Sequence, residues 1–314
     1  MQAALLLLVA LALWPAPQLS EKEFEEEIQS AASLSQQGRY ADAESAYARL
    51  QKRAEATYGK NDAHVGLVQF LLAGVYRQEG KYAEGEALAT QSLAVMERAS
   101  GADSVDATLP LSELGIILTY SDRYEEAEAV YLRALKIREK ALPPDDPLLA
   151  GALNNLGDLY GRMKKYGAAV PYLKGAIAML ETKPEYQEGL ANSLLNLAVT
   201  YRQLEQFPAA EPLYIRALKL SEQLYGPDHP EVAIALDNIA VFYDAQGKLK
   251  EADPYSARAL AIFEKSLGPD HPDLALGLEN RADLLQQLGR FGEARALRTR
   301  AIEIRARHSV TNPK

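Results

Sequence analysis

The chain has 314 residues, of which 48% are apolar and 25% charged, with no cysteine and a net charge of -9. That is the composition of a folded chain, not a disordered one. The charge argues against nonspecific nucleic-acid binding as a main role, and the missing cysteine excludes disulfides, thiolate metal sites and cysteine nucleophiles.

Residues 3–14 read AALLLLVALALW, without a charge. The run falls short of the roughly 20 residues that cross a bilayer as a helix, and it suits the apolar core of a secretory signal. Ala10-Leu11-Ala12 has the small-x-small form of a cleavage site, and Trp14-Pro15-Ala16-Pro17 stops a helix just beyond. No Lys or Arg precedes the run, so the positive flank of a signal is weak. Residues 1–20 are read as a signal peptide or short apolar segment, with cleavage left open between Ala12 and Ser20. Removal implies a periplasmic or secreted protein with no integral membrane span. A short membrane anchor or a buried cap helix are the other readings.

From residue 21 to 308 the chain repeats. Tyr40, Tyr82, Tyr124, Tyr166, Phe207, Leu249 and Phe291 stand 42, 42, 42, 41, 42 and 42 residues apart. Gly38, Gly80, Gly247 and Gly289 precede four of them by two places, and an alanine follows three places after six of the seven. Each period predicts two helices. In the fourth, Leu149, Leu153, Leu156, Gly157 and Tyr160 recur at helical spacing over 148–161. A polar turn follows, then a second helix over 166–180 with Ala169, Leu173, Ala176, Ile177 and Leu180 on one face. No two-residue alternation occurs, so no sheet is expected. Small residues recur where paired helices cross closely: Ala73, Gly115, Gly157, Ala198, Ala240 and Ala282 on first helices, Ala43, Gly85, Ala127, Ala169, Ala210, Ala252 and Ala294 on second helices. One hairpin cannot bury such faces alone, so neighbours must stack. Residues 309–314 form a tail.

The junctions carry a second signature. Gly226-Pro227-Asp228-His229-Pro230 recurs as Gly268-Pro269-Asp270-His271-Pro272. Asp228 and Asp270 are expected to cap the next helix, with Glu231 and Asp273 completing a capping-box-like pair. The fifth junction, 181–186, is one residue shorter and lacks glycine, which predicts local irregularity. Pro171, Pro212 and Pro254 near the starts of second helices predict an irregular first turn without a break.

The segments LLAGVYRQEGKYAEGEAL, LNNLGDLYGRMKKYGAAVPYLKGAI, LLNLAVTYRQLEQFPAAEPLYIRAL and LDNIAVFYDAQGKLKEADPYSARAL resemble tetratricopeptide repeats. The period and the phrases GPDHP, AEPLY and RAL resemble the longer, kinesin-light-chain variety. The resemblance implies an all-α fold, a right-handed superhelix or α-solenoid of seven stacked hairpins. It also implies a binding scaffold whose first helices line a concave face. By that resemblance the groove positions include Asn155, Asn196, Asn238 and Asn280. An amide both donates and accepts, so it can pair with the backbone of an extended peptide; it can equally bridge adjacent helices. Asn154, Asp158 and Arg162 share the stripe in the fourth unit, Asn192, Arg202 and Gln203 in the fifth, Asp237 and Asp244 in the sixth, Glu279, Asp283 and Gln286 in the seventh. The path begins mixed and becomes acidic, which favours a mixed or basic peptide over a free carboxylate. Units one to three carry Gln29, Leu71 and Glu113 in place of the Asn. Leu67, Phe70, Leu71, Leu109 and Ile116 there form an apolar wall, either an anchor pocket or buried surface.

The last helix carries Arg295, Arg298, Arg300, Arg305 and Arg307. These either solvate the open end of the stack or leave it for another copy to dock, which makes self-association through the last repeat an open expectation. The four histidines show no metal or nucleophile spacing, and no phosphate-loop or dinucleotide motif occurs. The expectation is a non-enzymatic scaffold for a protein or peptide partner, without cofactor, metal or nucleic acid. The alternative is a structural subunit of an envelope or secretion-associated assembly, joined through its convex face and open ends.

Overall fold

The computed structural model describes residues 19–268 and 274–309. Fourteen α-helices and no strand occur among the described residues, paired into the seven hairpins the repeat predicts. They are α1 (Glu21–Gln36) with α2 (Tyr40–Tyr58), α3 (Ala63–Gln78) with α4 (Tyr82–Ser100), and α5 (Thr108–Tyr120) with α6 (Tyr124–Ala141). Then come α7 (Pro147–Arg162) with α8 (Tyr166–Leu180), α9 (Gln187–Gln203) with α10 (Phe207–Tyr225), α11 (Pro230–Asp244) with α12 (Leu249–Leu267), and α13 (Leu274–Gln287) with α14 (Phe291–Ser309). The chain divides into two compact units between Pro144 and Asp145, the first holding α1–α6 and the second α7–α14.

The periodic residues mark a backbone requirement. Each of the seven opens a second helix. Just before it, the backbone N–H of Arg39, Lys81, Arg123, Lys165, Gln206, Lys248 or Arg290 donates to a first-helix carbonyl five residues back, at 2.8–3.0 Å. This closure needs a left-handed residue at the preceding position. Gly38, Gly80, Gly247 and Gly289 supply it with φ of 70–77°, whereas Asp122, Lys164 and Glu205 adopt φ of 57–58° in hairpins three to five. The helix crossings are as close as the small residues suggest. A Cβ added to Gly115 would lie 2.4 Å from the Tyr131 ring, and one added to Gly157 would lie 2.5 Å from Leu173.

The junctions cap one residue later than expected. His229, not Asp228, caps α11, its Nδ1 accepting the Glu231 backbone N–H at 3.2 Å. Asp62 and Asp146 do the same for His64 and Leu148 at 3.0 and 2.8 Å. Pro230 and Pro147 occupy the first helical place, so the residue before the proline becomes the cap. Asp228 instead pairs with Lys265 on α12. Asp270 and Asp273 lie outside the described residues. The short fifth junction is irregular, as expected: a 3-10 turn, Pro184–Tyr186, leads into α9 without a side-chain cap. The proline-bearing second helices run unbroken, and in α8 and α10 the first turn tightens, with Ala168 and Ala209 donating to carbonyls three residues back.

At the start of the first unit, Leu19 is buried, its N–H donating to Thr57 Oγ1 at 3.2 Å and its carbonyl accepting from Tyr58 Oη at 2.9 Å. Ser20 and Glu23 close a reciprocal capping box on α1. The packed body therefore includes Leu19 and Ser20. The rest of the expected signal segment, residues 1–18, lies outside the described residues, among which no helix is long and apolar enough to cross a membrane.

The last hairpin differs from those inside. Arg298 stands in the register of Tyr47, Ala89, Tyr131, Leu173, Tyr214 and Ser256, all buried. Arg305 stands in that of Ala54, Met96, Arg138, Leu180, Ser221 and Phe263. In hairpin seven Arg298 reaches Asp283 at 2.5 Å and also Gln286, while Arg305 binds both Glu279 oxygens at 2.5 and 2.6 Å. In these registers Tyr214 packs on Phe242 and Phe263 lies beside Gly277, each on the first helix of the next hairpin, whereas in hairpin seven the two arginines form a charged cover over α13.

Candidate functional site

Within each unit successive first helices touch: α3 meets α5, α7 meets α9, and α9 meets α11. Second helices of neighbouring hairpins do not approach to a comparable extent among the described residues. First helices therefore line the inner face of each stack, as the repeat resemblance implied.

In the second unit that face is organised as rungs. Asn196 Nδ2 donates to Asn154 Oδ1 at 3.1 Å, and Asn280 Nδ2 donates to Asp237 Oδ2 at 3.0 Å. Each rung joins the Asn of one hairpin to the residue just before the Asn position of the previous one. Asn238 is the exception. Leu195 stands where its acceptor belongs, so its amide turns to the Ile234 carbonyl on its own helix, at 2.9 Å. Asn155 lies half-buried on α7, and Asn192 is exposed on α9. Arg202 is half-buried, with its Nε lacking a hydrogen-bond partner.

The charge pattern corrects the expected acidic gradient. Glu279 and Asp283 are offset by Arg305 and Arg298, and Asp158 is paired with Arg162 at 2.9 Å. The sequence alone did not show this because the arginines come from another helix, α14, and reach across to α13. Asp237 and Asp244 differ. They lie seven residues apart on one face of α11 and accept amide N–H groups from Asn280 and Gln287, at 3.0 and 3.3 Å. Neither has a cationic partner among the described residues. Burial pushes the Asp237 carboxyl above its ordinary pKa, and the bond from Asn280 opposes the shift.

A cavity of about 240 Å³ opens on the same face between α7 and α9. Gly157, Gly161, Val199 and Thr200 line it, together with Asp158, Arg162, Tyr166, Asn196 and Gln203. Its cause is local. Gly161 takes the register that Ser35, Arg77, Thr119, Arg202, Asp244 and Gln286 hold on other first helices. A Cβ placed there would meet nothing within 4 Å. The sequence reading passed over Gly161, although aligning the repeats exposes it as the glycine of its column.

The first unit is built otherwise. Leu67 and Leu71 pack against the core of its first two hairpins, while Phe70, Leu109 and Ile116 remain half-buried. An ion pair interrupts this apolar wall: Arg77 Nε lies 2.6 Å from Glu113 Oε1, and Glu113 is 5% exposed. Among the described residues no group of three or more His, Asp or Glu side chains is placed to hold a metal.

Stacked hairpins lined inside by polar rungs define a helical-repeat scaffold. The chain belongs to the tetratricopeptide repeat family, whose model matches residues 27–98, 65–140, 106–182, 189–265 and 232–307. Similar solved structures include BtubC (BKLC) from P. vanneervenii, at TM-score 0.58 and 24% identity over 76% of this chain and 93% of that one. The kinesin light chain TPR-like repeats of Podosopora anserina align at TM-score 0.50 and 22% identity, over 63% and 94%. A Rap protein complexed with competence and sporulation factor aligns at TM-score 0.66 and 17% identity, over 90% and 74%. No curated protein matches the chain. At these identities the likeness is one of fold.

Proposed function

We propose that this protein is a non-enzymatic interaction scaffold whose second unit holds an extended, mixed or basic segment of a protein partner against α7, α9, α11 and α13. One observation carries the reading. Asp237 and Asp244 face the groove with amide partners and no cation among the described residues, while the other groove acids named above are paired with arginine. A lysine or arginine of the partner supplies the missing charge, and charge complementarity of this kind governs specificity and association rate. The family's scaffold role supports the reading, as does a fold shared with a Rap protein that was solved in complex with a factor.

The test starts from random phage-displayed dodecapeptides selected on the full chain. Asp237→Asn with Asp244→Asn should weaken the selected peptides by on the order of tenfold, and more at low salt than at high. Unchanged binding in the double variant rejects the reading.

Residues 3–14 support export to the periplasm or the exterior, which cell fractionation checks. A second reading, an assembly subunit, is favoured by three exposed apolar side chains on the last hairpin: Leu276 at 61%, Phe291 at 68% and Ile302 at 65%. Co-sedimentation of the native protein with a large envelope complex, lost on Phe291→Ser with Ile302→Ser, would support it.

A further inference from the structure

The cavity between α7 and α9 has a chemistry of its own. Nothing in the packing asks for glycine at Gly161: its φ is not left-handed, and an added Cβ would meet open space. Gly157, one turn earlier, is glycine for a packing reason, because Leu173 fills the place of its side chain. The cavity is the volume left by Gly161, and it carries no net charge, since Arg162 is tied to Asp158 at 2.9 Å. The Thr200 hydroxyl is committed to the Asn196 carbonyl at 2.8 Å. That leaves a carbon surface from Gly157, Gly161, Val199 and Thr200, with the Tyr166 ring beside it. Asn196 is held at the mouth by its rung to Asn154, and its Oδ1 stays available as an acceptor. A volume of about 240 Å³ is less than the roughly 300 Å³ at which drug-sized sites begin, so it suits a single side chain.

We infer that this cavity is the anchor that sets the register of the bound segment, with Gly161 as the specificity-determining residue. It takes one large apolar side chain, of leucine, methionine or phenylalanine size, from a segment that carries its basic residue toward Asp237 and Asp244. The inference rests on the groove reading above. The uncompensated acids on α11 and the uncharged cavity on α7 and α9 together call for an apolar residue and a cation in one peptide.

The test measures fluorescence anisotropy of the phage-selected dodecapeptides on the full chain and on Gly161→Ala, Gly161→Leu and Val199→Phe. The last two fill the cavity from opposite walls, and circular dichroism confirms that each variant folds. The selected peptides should share a large apolar residue, and its change to alanine should weaken binding about tenfold. Gly161→Leu and Val199→Phe should each do the same, while Gly161→Ala stays within about twofold. If both filling variants bind like the wild type while Asp237→Asn with Asp244→Asn still weakens binding, the groove reading stands and the anchor is wrong. If no peptide is selected, or if no variant of either kind alters binding, both are wrong.

Discussion

Asn280 donates its side-chain amide to Asp237 at 3.0 Å, across 43 positions of sequence, and thereby ties hairpin seven to hairpin six. Asn196 makes the same link to Asn154, between hairpins five and four. An amide in mid-helix competes with its own backbone and lowers helix propensity, and these inter-hairpin bonds compensate two of the four copies. The rung geometry also separates the copies from one another. Asn196 and Asn280 hold the groove in shape, whereas Asn238 bonds only its own helix.

Replacing Asn196 or Asn280 with alanine should therefore cost about 0.5–1.5 kcal/mol. The same change at Asn238 should stay within about 0.5 kcal/mol. Urea denaturation of the three single variants checks the order, and equal losses at all three would contradict the rung model.

Two glycines of α7 should respond with opposite signs. Gly157→Ala forces a methyl to 2.5 Å from Leu173 and should cost about 1–3 kcal/mol by overpacking. Gly161→Ala adds a methyl in open space and should gain up to about 1 kcal/mol from helix propensity. Thermal melts of the two variants decide the matter.

His64 should make the stability of the first unit depend on pH. Its Nδ1 lies 2.6 Å from Asp62 and its Nε2 3.1 Å from Glu21, with the ring stacked on Tyr58 at 4.1 Å and Phe24 edge-on at 4.9 Å. Burial alone would lower its pKa, but the bonds to Asp62 and Glu21 outweigh burial and raise it above 6.5. A raised folded pKa contributes stability that is complete below the unfolded value and lost as pH climbs through the folded one. Melting temperature should fall across that window in the wild type and fall less in His64→Gln.

The charged cover on hairpin seven should keep that end from stacking. Arg298→Tyr with Arg305→Phe installs the side chains of Tyr214 and Phe263, which belong to interior hairpins. Sedimentation velocity over a concentration series should show new self-association in this double variant. If its association state matches the wild type, the arginine cover is not what blocks the end.

Much of the fold was legible because few residues meet a severe backbone demand. Gly38, Gly80, Gly247 and Gly289 sit where the turn is left-handed, and the glycines and alanines of the crossings sit where helices nearly touch. At Asp122, Lys164 and Glu205 other residues accept the same conformation, so glycine alone could not have located every turn. The site was less legible, for two physical reasons. A cavity is an absence, and Gly161 gains meaning only beside the larger side chains of its column. Groove charge depends on partners from other helices, and Arg298 and Arg305 could be paired with Asp283 and Glu279 only once the packing of α14 on α13 was visible. His229 outbid Asp228 as the cap because the position of Pro230 decides which residue precedes the helix.

The central claim is that a partner segment lies along the first helices of the second unit. A photo-crosslinking amino acid placed at Gln203, exposed on α9, or at Lys219, exposed on α10, tests it directly. With a selected lysine-containing peptide, crosslinks should form from position 203 and not from position 219. Crosslinks from position 219 alone would place the partner on the second helices and contradict the account.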